Sequence, residues 1–231
     1  LDKPQGFAVI GAAETDAFLQ DKPVRMIFGI GPAGQEALET AGIRTFADLR
    51  RWDRADLGAR FGSMGDRLWH LSRGQDPRKV SSRAPVKSIS NETTFHDDTA
   101  DGDVLDGHIW RLSEKVSDRA KAKGIAGRVV TLKLKTADFA LVTRRLSLGD
   151  ATQMADRIYR TAKGLYDAAG VRGPFRLLGV GLSDLEPAEG ADRTGDLLDP
   201  NAGKRADAER ATDKIRARFG EGAILKGRAL R

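Results

Sequence analysis

The chain has 231 residues and no cysteine. Disulfides, thiolate zinc sites and cysteine nucleophiles are excluded, and the composition suits a reducing cytoplasm. No apolar run approaches the roughly 18 residues a membrane span needs, and no signal-peptide pattern opens the chain, so no membrane partner is expected. Histidine is scarce, and His70, His96 and His108 are too scattered for a metal triad. An initiator methionine is also missing. Leu1-Asp2-Lys3-Pro4 leads abruptly into the short apolar run 7–10, which reads as the trimmed end of something longer. There is no internal repeat.

What the chain does have is positive charge. Its net charge of +6 and pI of about 9.7 favour a polyanionic partner, although charge speaks to association and not to fold. The most informative stretch is Ile27-Phe28-Gly29-Ile30-Gly31-Pro32-Ala33-Gly34-Gln35-Glu36-Ala37-Leu38. An apolar helical turn runs into Gly-Ile-Gly-Pro and then into a second helical pattern. Gly29 and Gly31 can take φ > 0 and admit another backbone, and Pro32 suits a helix's first turn. The second helix then starts with unpaired N–H groups at the positive end of its dipole, an arrangement suited to a phosphate. The pattern is that of a helix-hairpin-helix, with a ligand-free tight turn as the bland alternative. It is not a dinucleotide fingerprint, because it follows a helical stretch and lacks the third glycine at the right spacing.

Taken in order, residues 1–10 read as the last piece of a strand and loop, and Glu14 to Gln20 as a short helix. Gly42 closes the helix of the hairpin. Thr45 caps the next, with Asp48 as the capping-box acid. Phe61 to Gly65 reads as a turn and Asp66–Leu71 as helix, with Trp52, Phe61 and Trp69 as core. Residues 23–74 form a small all-helical module, and 75–85, rich in Arg, Pro and Ser, a linker. The period then changes. Strands are expected at Val86–Phe95, Arg128–Thr136, Phe139–Leu148 and Phe175–Leu182, and helices at 103–123 and about 151–169. In Arg128–Thr136 the residues Val130, Leu132 and Leu134 share one face, and Thr131, Lys133 and Lys135 the other. The order βαββαβ makes a four-stranded antiparallel sheet with two helices on one face, hence an α+β chain whose open sheet face carries Lys133 and Lys135. Asp97–His108 faintly mimics a calcium loop, but His108 stands where the bidentate acid belongs, and an acidic helix start fits better. After Pro187 a flexible tail is expected over 188–231, with a late helix at 204–219 that folds onto a partner.

The order of these parts resembles the Y-family DNA polymerases. Ile27 to Pro32, then Gly42-Ile43-Arg44-Thr45-Phe46-Ala47-Asp48-Leu49, then Leu68-Trp69-His70-Leu71-Ser72-Arg73-Gly74 resembles their thumb. Lys87-Ser88-Ile89-Ser90-Asn91-Glu92-Thr93-Thr94-Phe95 is similar to the first strand of their little-finger domain, and 176–185 to its last. The likeness spans about residues 1–187 and, more loosely, 213–220. It implies a thumb at 23–74, a little finger at 86–187 and the exit of a catalytic palm at 1–22.

The resemblance implies non-sequence-specific binding of primer–template DNA as part of an enzyme that copies damaged templates. The hairpin would hold the primer backbone through N–H groups around Gly29, Ile30, Gly31 and Gly34. The little finger would lie in the major groove with its sheet face across the phosphates, using Lys87, Ser88, Ser90, Arg144, Arg145 and Arg176. Family members often carry a lysine near position 33 or 34, and some carry basic side chains at 177 and 181. Here those positions are Ala33, Gly34, Leu177 and Gly181. The carboxylates that hold the parent's Mg2+, including a Ser-x-Asp-Glu stretch, are not in this chain, so no catalytic residue, metal or cofactor is expected within it. A sliding clamp is implied for the parent, and Thr194-Gly195-Asp196-Leu197-Leu198 sits where its motif is expected, without the glutamine and the aromatic. The competing readings are a free-standing helix-hairpin-helix DNA-binding protein with a ferredoxin-like domain, and a catalytically dead relative that recruits partners.

Overall fold

The computed structural model describes residues 6, 9–81, 85–192, 201–224 and 227. The chain divides into two units, Leu1–Arg83 and Ala84–Arg231.

In the first unit the helices are α1 (Ala12–Leu19), α2 (Pro32–Thr40), α3 (Phe46–Arg50), α4 (Arg54–Phe61) and α5 (Ser63–Ser72), with a 3₁₀ turn at Val24–Met26 before the hairpin. Each is short and marginal alone, so packing holds them. Val24, Ile27, Leu38, Ile43, Phe46, Leu49, Leu57 and Leu68 make the buried cluster, and Trp52, Phe61 and Trp69 pack against it. Thr45 caps α3 through the Asp48 N–H, 3.2 Å from its Oγ1, while Asp48 accepts from the Thr45 N–H at 3.0 Å. The Asp48 carboxylate also accepts from the Thr45 hydroxyl at 2.9 Å and the Arg44 N–H at 3.1 Å, and the bonds it accepts hold it below its usual range, the Thr45 hydroxyl contributing most.

The expected turn from Phe61 to Gly65 shrinks to one residue. Gly62, at φ +59°, ends α4 and begins α5. Gly65 is a helical residue, buried where α5 presses on α4. A Cβ there would lie 1.9 Å from the Leu57 carbonyl oxygen, so glycine serves close helix packing and not chain reversal.

In the second unit, β1 (Ser88–Thr99), α6 (Gly102–Ala122), β2 (Ile125–Thr136), β3 (Leu141–Thr152), α7 (Ala155–Asp167) and β4 (Phe175–Pro187) form the expected βαββαβ order. The sheet order is β1-β4-β2-β3, every pair antiparallel, so β4 and β2 are central and each β–α–β connection spans an intervening strand. Ile109, Trp110, Val116, Val130, Leu132, Leu134, Ile158, Leu178 and Val180 join in one buried core. Asp101 caps α6, its Oδ1 accepting from the N–H groups of Asp103 and Val104 at 2.9 and 3.2 Å, which accounts for the acidic start.

Two expectations are corrected. Phe139 does not begin β3; it sits in the β2–β3 turn at φ +68°, 58% exposed. The late helix α8 (Ala202–Phe219) does not await a partner, because it packs on its own unit. Its Glu209 is 3% exposed, paired with Lys121 at 2.7 Å and accepting from the N–H groups of Ala155 and Asp156 at 2.7 and 3.1 Å, at the start of α7. Arg205 pairs with Asp156 and Arg216 with Glu114. Polar periodicity hid this, because α8 is fixed by ion pairs and not by an apolar stripe. No described helix is long and apolar enough to cross a membrane.

Candidate nucleic-acid interface

The hairpin differs from the sequence expectation in two ways: the stretch before Gly31 is a 3₁₀ turn at Val24–Met26 followed by a tight turn over 27–29 and not a helical turn, and only one of the two glycines takes a positive φ. Gly29 takes φ +95°, but Gly31 is extended at φ −89°, ψ −178° and serves as the N-cap of α2, with Pro32 at its first position. The first hydrogen bond into the helix is from the Gln35 N–H to the Gly31 carbonyl, 2.9 Å. Upstream, the Ile30 N–H donates to the Ile27 carbonyl at 3.1 Å. Ile30 also packs against the cluster, so it anchors the loop and does not present its amide. Among the described residues, no backbone acceptor engages the N–H groups of Gly29, Gly31, Ala33 or Gly34. They surround the positive end of α2, next to Phe28, which is 80% exposed.

Sequence reasoning missed one residue of this loop. Arg67, on α5, donates from Nη2 to the Phe28 carbonyl and lies against Gly29. No local pattern links a helix residue to a turn 39 positions earlier.

The sheet's second face carries no helix, and its residues form rows that follow from the register. Ser88, Ser183, Val129 and Ser147 make one row; Ser90, Gly181, Thr131 and Arg145 the next. Glu92, Gly179, Lys133 and Thr143 form the third, and Thr94, Leu177, Lys135 and Leu141 the fourth. Small and hydroxyl side chains leave a shallow trough of about 300 Å³ down the middle. The two glycines keep it open, since a Cβ on Gly179 would come 3.0 Å from the Glu92 Cβ and one on Gly181 3.1 Å from the Ser90 Cβ. Glu92 and Lys133 bridge the trough at 2.7 Å.

The predicted contacts separate here. Ser88, Ser90 and Arg145 lie on the open face, and Lys87 is exposed just before β1. Arg144 does not join them. It stands opposite the buried Leu132, and directly paired residues share a face, so it belongs to the helix side. There its Nη2 donates to the Ala169 carbonyl, 3.1 Å, beyond the C-terminus of α7. The signal was legible, because Arg144 shares its strand parity with Val142, Leu146 and Leu148. Arg176 is committed elsewhere: its fork meets Asp98 at 3.2 Å on both arms and its guanidinium lies 4.6 Å from the centre of the Phe139 ring. Lys135 approaches the same ring at 4.5 Å. Among the described residues, no group of three or more histidine or carboxylate side chains could hold a metal ion. The segment 194–198 lies outside the described residues.

Residues 86–197 match the model of the impB/mucB/samB family C-terminal domain. The second unit carries that domain. Most of the chain has relatives as well. It is 51% identical over 227 residues to DNA polymerase IV of Brucella melitensis, covering 98% of this chain and 51% of the relative. It is 50% identical over 225 residues to DNA polymerase IV 1 of Mesorhizobium japonicum, covering 97% and 51%. With DNA polymerase IV of Caulobacter vibrioides it shares 42% over 231 residues, covering 100% and 57%. The chain thus spans about half the length of these relatives. Over nearly its whole length it is similar to proteins named DNA polymerase IV, and the impB/mucB/samB family C-terminal domain, matched at 86–197, supplies its sheet.

Proposed function

We propose that this chain is the DNA-holding part of a translesion DNA polymerase and binds the backbone of primer–template DNA without reading its sequence. Residues 23–74 act as the thumb, 86–187 as the little finger and 75–85 as the linker between them. The observation that carries the reading is the open sheet face, whose short hydroxyl and glycine positions sit between the cations Arg145, Lys133 and Lys135. Short side chains let phosphate oxygens come close to hydroxyl and ammonium groups. The face offers few long polar forks that could read base edges, which suits backbone positioning. The free N–H groups at Gly29, Gly31, Ala33 and Gly34 give the thumb a second phosphate grip of the same indifferent kind.

The parent's reaction is nucleotidyl transfer at damaged templates, in the cytoplasm, with Mg2+ held by carboxylates that these 231 residues lack. The chain alone is therefore expected not to extend a primer. A sliding clamp is the parent's further partner by family likeness.

The test is fluorescence anisotropy with a labelled primer–template duplex, at several salt concentrations and with two unrelated sequences. Equal affinity for both sequences, with log affinity falling linearly against log salt, is the expected result. No binding at low salt, or a marked preference for one sequence, would overturn the proposal.

A further inference from the structure

Between Met26 and Ile43 there is no lysine or arginine, and α2 carries Glu36 and Glu39. A phosphate at the start of α2 would meet N–H dipoles but no cation from the hairpin's own segments. The fold brings one from α5. Arg67 donates from Nη2 to the Phe28 carbonyl, and its guanidinium carbon stands 5.9 Å from the centre of the exposed Phe28 ring. Its Nη1 comes so near Gly29 that a Cβ on that residue would lie 3.0 Å away. Gly29 is thus glycine for two reasons, its positive φ and the guanidinium beside it.

Arg67 is also underused within the protein. Among the described residues it has no ion pair, its Nη1 has no hydrogen-bond partner, and its Nε is buried without one. Asp76, whose carboxyl feels the Arg67 charge, is held instead by both arms of Arg78. A guanidinium has five donors in a planar fork that matches phosphate geometry, and only one arm is used here to fix the hairpin.

We propose that Arg67 is a phosphate-binding residue of the hairpin. Nη2 holds the Phe28 carbonyl, which fixes the loop so that the Gly29 and Gly31 N–H groups face outward, and Nη1 takes an oxygen of the same backbone phosphodiester. The inference rests on the reading of the hairpin as a DNA grip, and supplies the cation which that grip otherwise lacks.

The experiment compares the full chain with Arg67→Gln and Arg67→Lys for binding a labelled primer–template duplex across a salt series. Glutamine can still donate to the Phe28 carbonyl, and lysine keeps the charge. Arg67→Gln is expected to weaken binding about tenfold and to lower the salt slope by about 0.9, the signature of one lost phosphate contact. Arg67→Lys is expected to keep the slope and recover part of the affinity. An Arg67→Gln protein with wild-type slope and affinity would overturn the inference and leave the hairpin reading standing. Failure of the wild-type chain to bind would overturn both. Should Arg67→Gln not fold, the side-chain N–H signal of Arg67 in 15N NMR of the wild-type chain decides. It is expected to move with the Gly29 and Gly31 amides as duplex is added, and its failure to move would overturn the inference.

Discussion

Arg144 and Arg145 are adjacent in β3 and lie on opposite faces of the sheet, the first across from Leu132 and the second across from Thr131. Arg145→Ala should therefore weaken binding to primer–template DNA evenly across sequences and lower the salt slope by about 1. Arg144→Ala should leave affinity and slope unchanged, and reduce stability through the lost bond to the Ala169 carbonyl by about 0.5–1.5 kcal/mol. Salt-series anisotropy with urea unfolding of both variants distinguishes them.

The pair between Glu92 and Lys133 holds one of the open face's cations in place and adds a negative charge to it. Glu92→Gln should release Lys133, tighten DNA binding and steepen its salt dependence. Both partners are substantially exposed, so stability should change by less than about 1 kcal/mol. Affinity and melting temperature measured on the same preparation check both halves; weaker binding would count against a backbone role for this face.

Gly65→Ala inserts a methyl group where α5 touches the backbone of α4. Alanine normally favours a helix interior by about 1 kcal/mol over glycine. Here overpacking should reverse that sign and cost about 1–3 kcal/mol or more. Urea unfolding in a Trp110→Phe background, where Trp52 and Trp69 report the first unit, measures the effect.

Glu209 links stability to pH. Burial by itself would raise its carboxyl, but the Lys121 charge and the N–H groups of Ala155 and Asp156 outweigh burial and hold it below its ordinary 4.5. A depressed carboxylate stabilises fully above that ordinary value and loses its contribution as pH falls through the lower folded value. Asp118 works in the opposite sense, since burial, partly countered by Lys121 and Arg216, lifts its carboxyl above 3.8. Acid unfolding in an Asp118→Asn background isolates Glu209. Its replacement by Gln should cost about 1–3 kcal/mol near neutrality and flatten the acid limb below pH 4.5.

The elements were legible where chemistry is local. The capping box at Thr45 and Asp48, the alternation through Val130, Leu132 and Leu134, and the helical spacing of 103–123 each announce a structure within a few residues. Strand ends were less so: β4 runs on to Pro187 and β1 to Thr99, because ladder pairing sustains polar residues that show no apolar signal alone. What depends on distant partners was not legible. Arg67 reaches the hairpin across 39 residues, and Glu209 is buried because Lys121 and the start of α7 meet it there. In sequence a charged residue on a charged helix reads as solvated.

The place of β4 sets the order in which the second unit can be made. The last strand to leave the ribosome is the one that β1 must pair with, and it also borders β2. While β4 is still in the exit tunnel, β2 and β3 can close their hairpin, but β1 waits with a bare edge some 80 residues behind its neighbour, a long loop to close. Translation that stops before Phe175 leaves β1 unpaired beside a β2–β3 hairpin and two helices, with the open face lacking one of its two central strands.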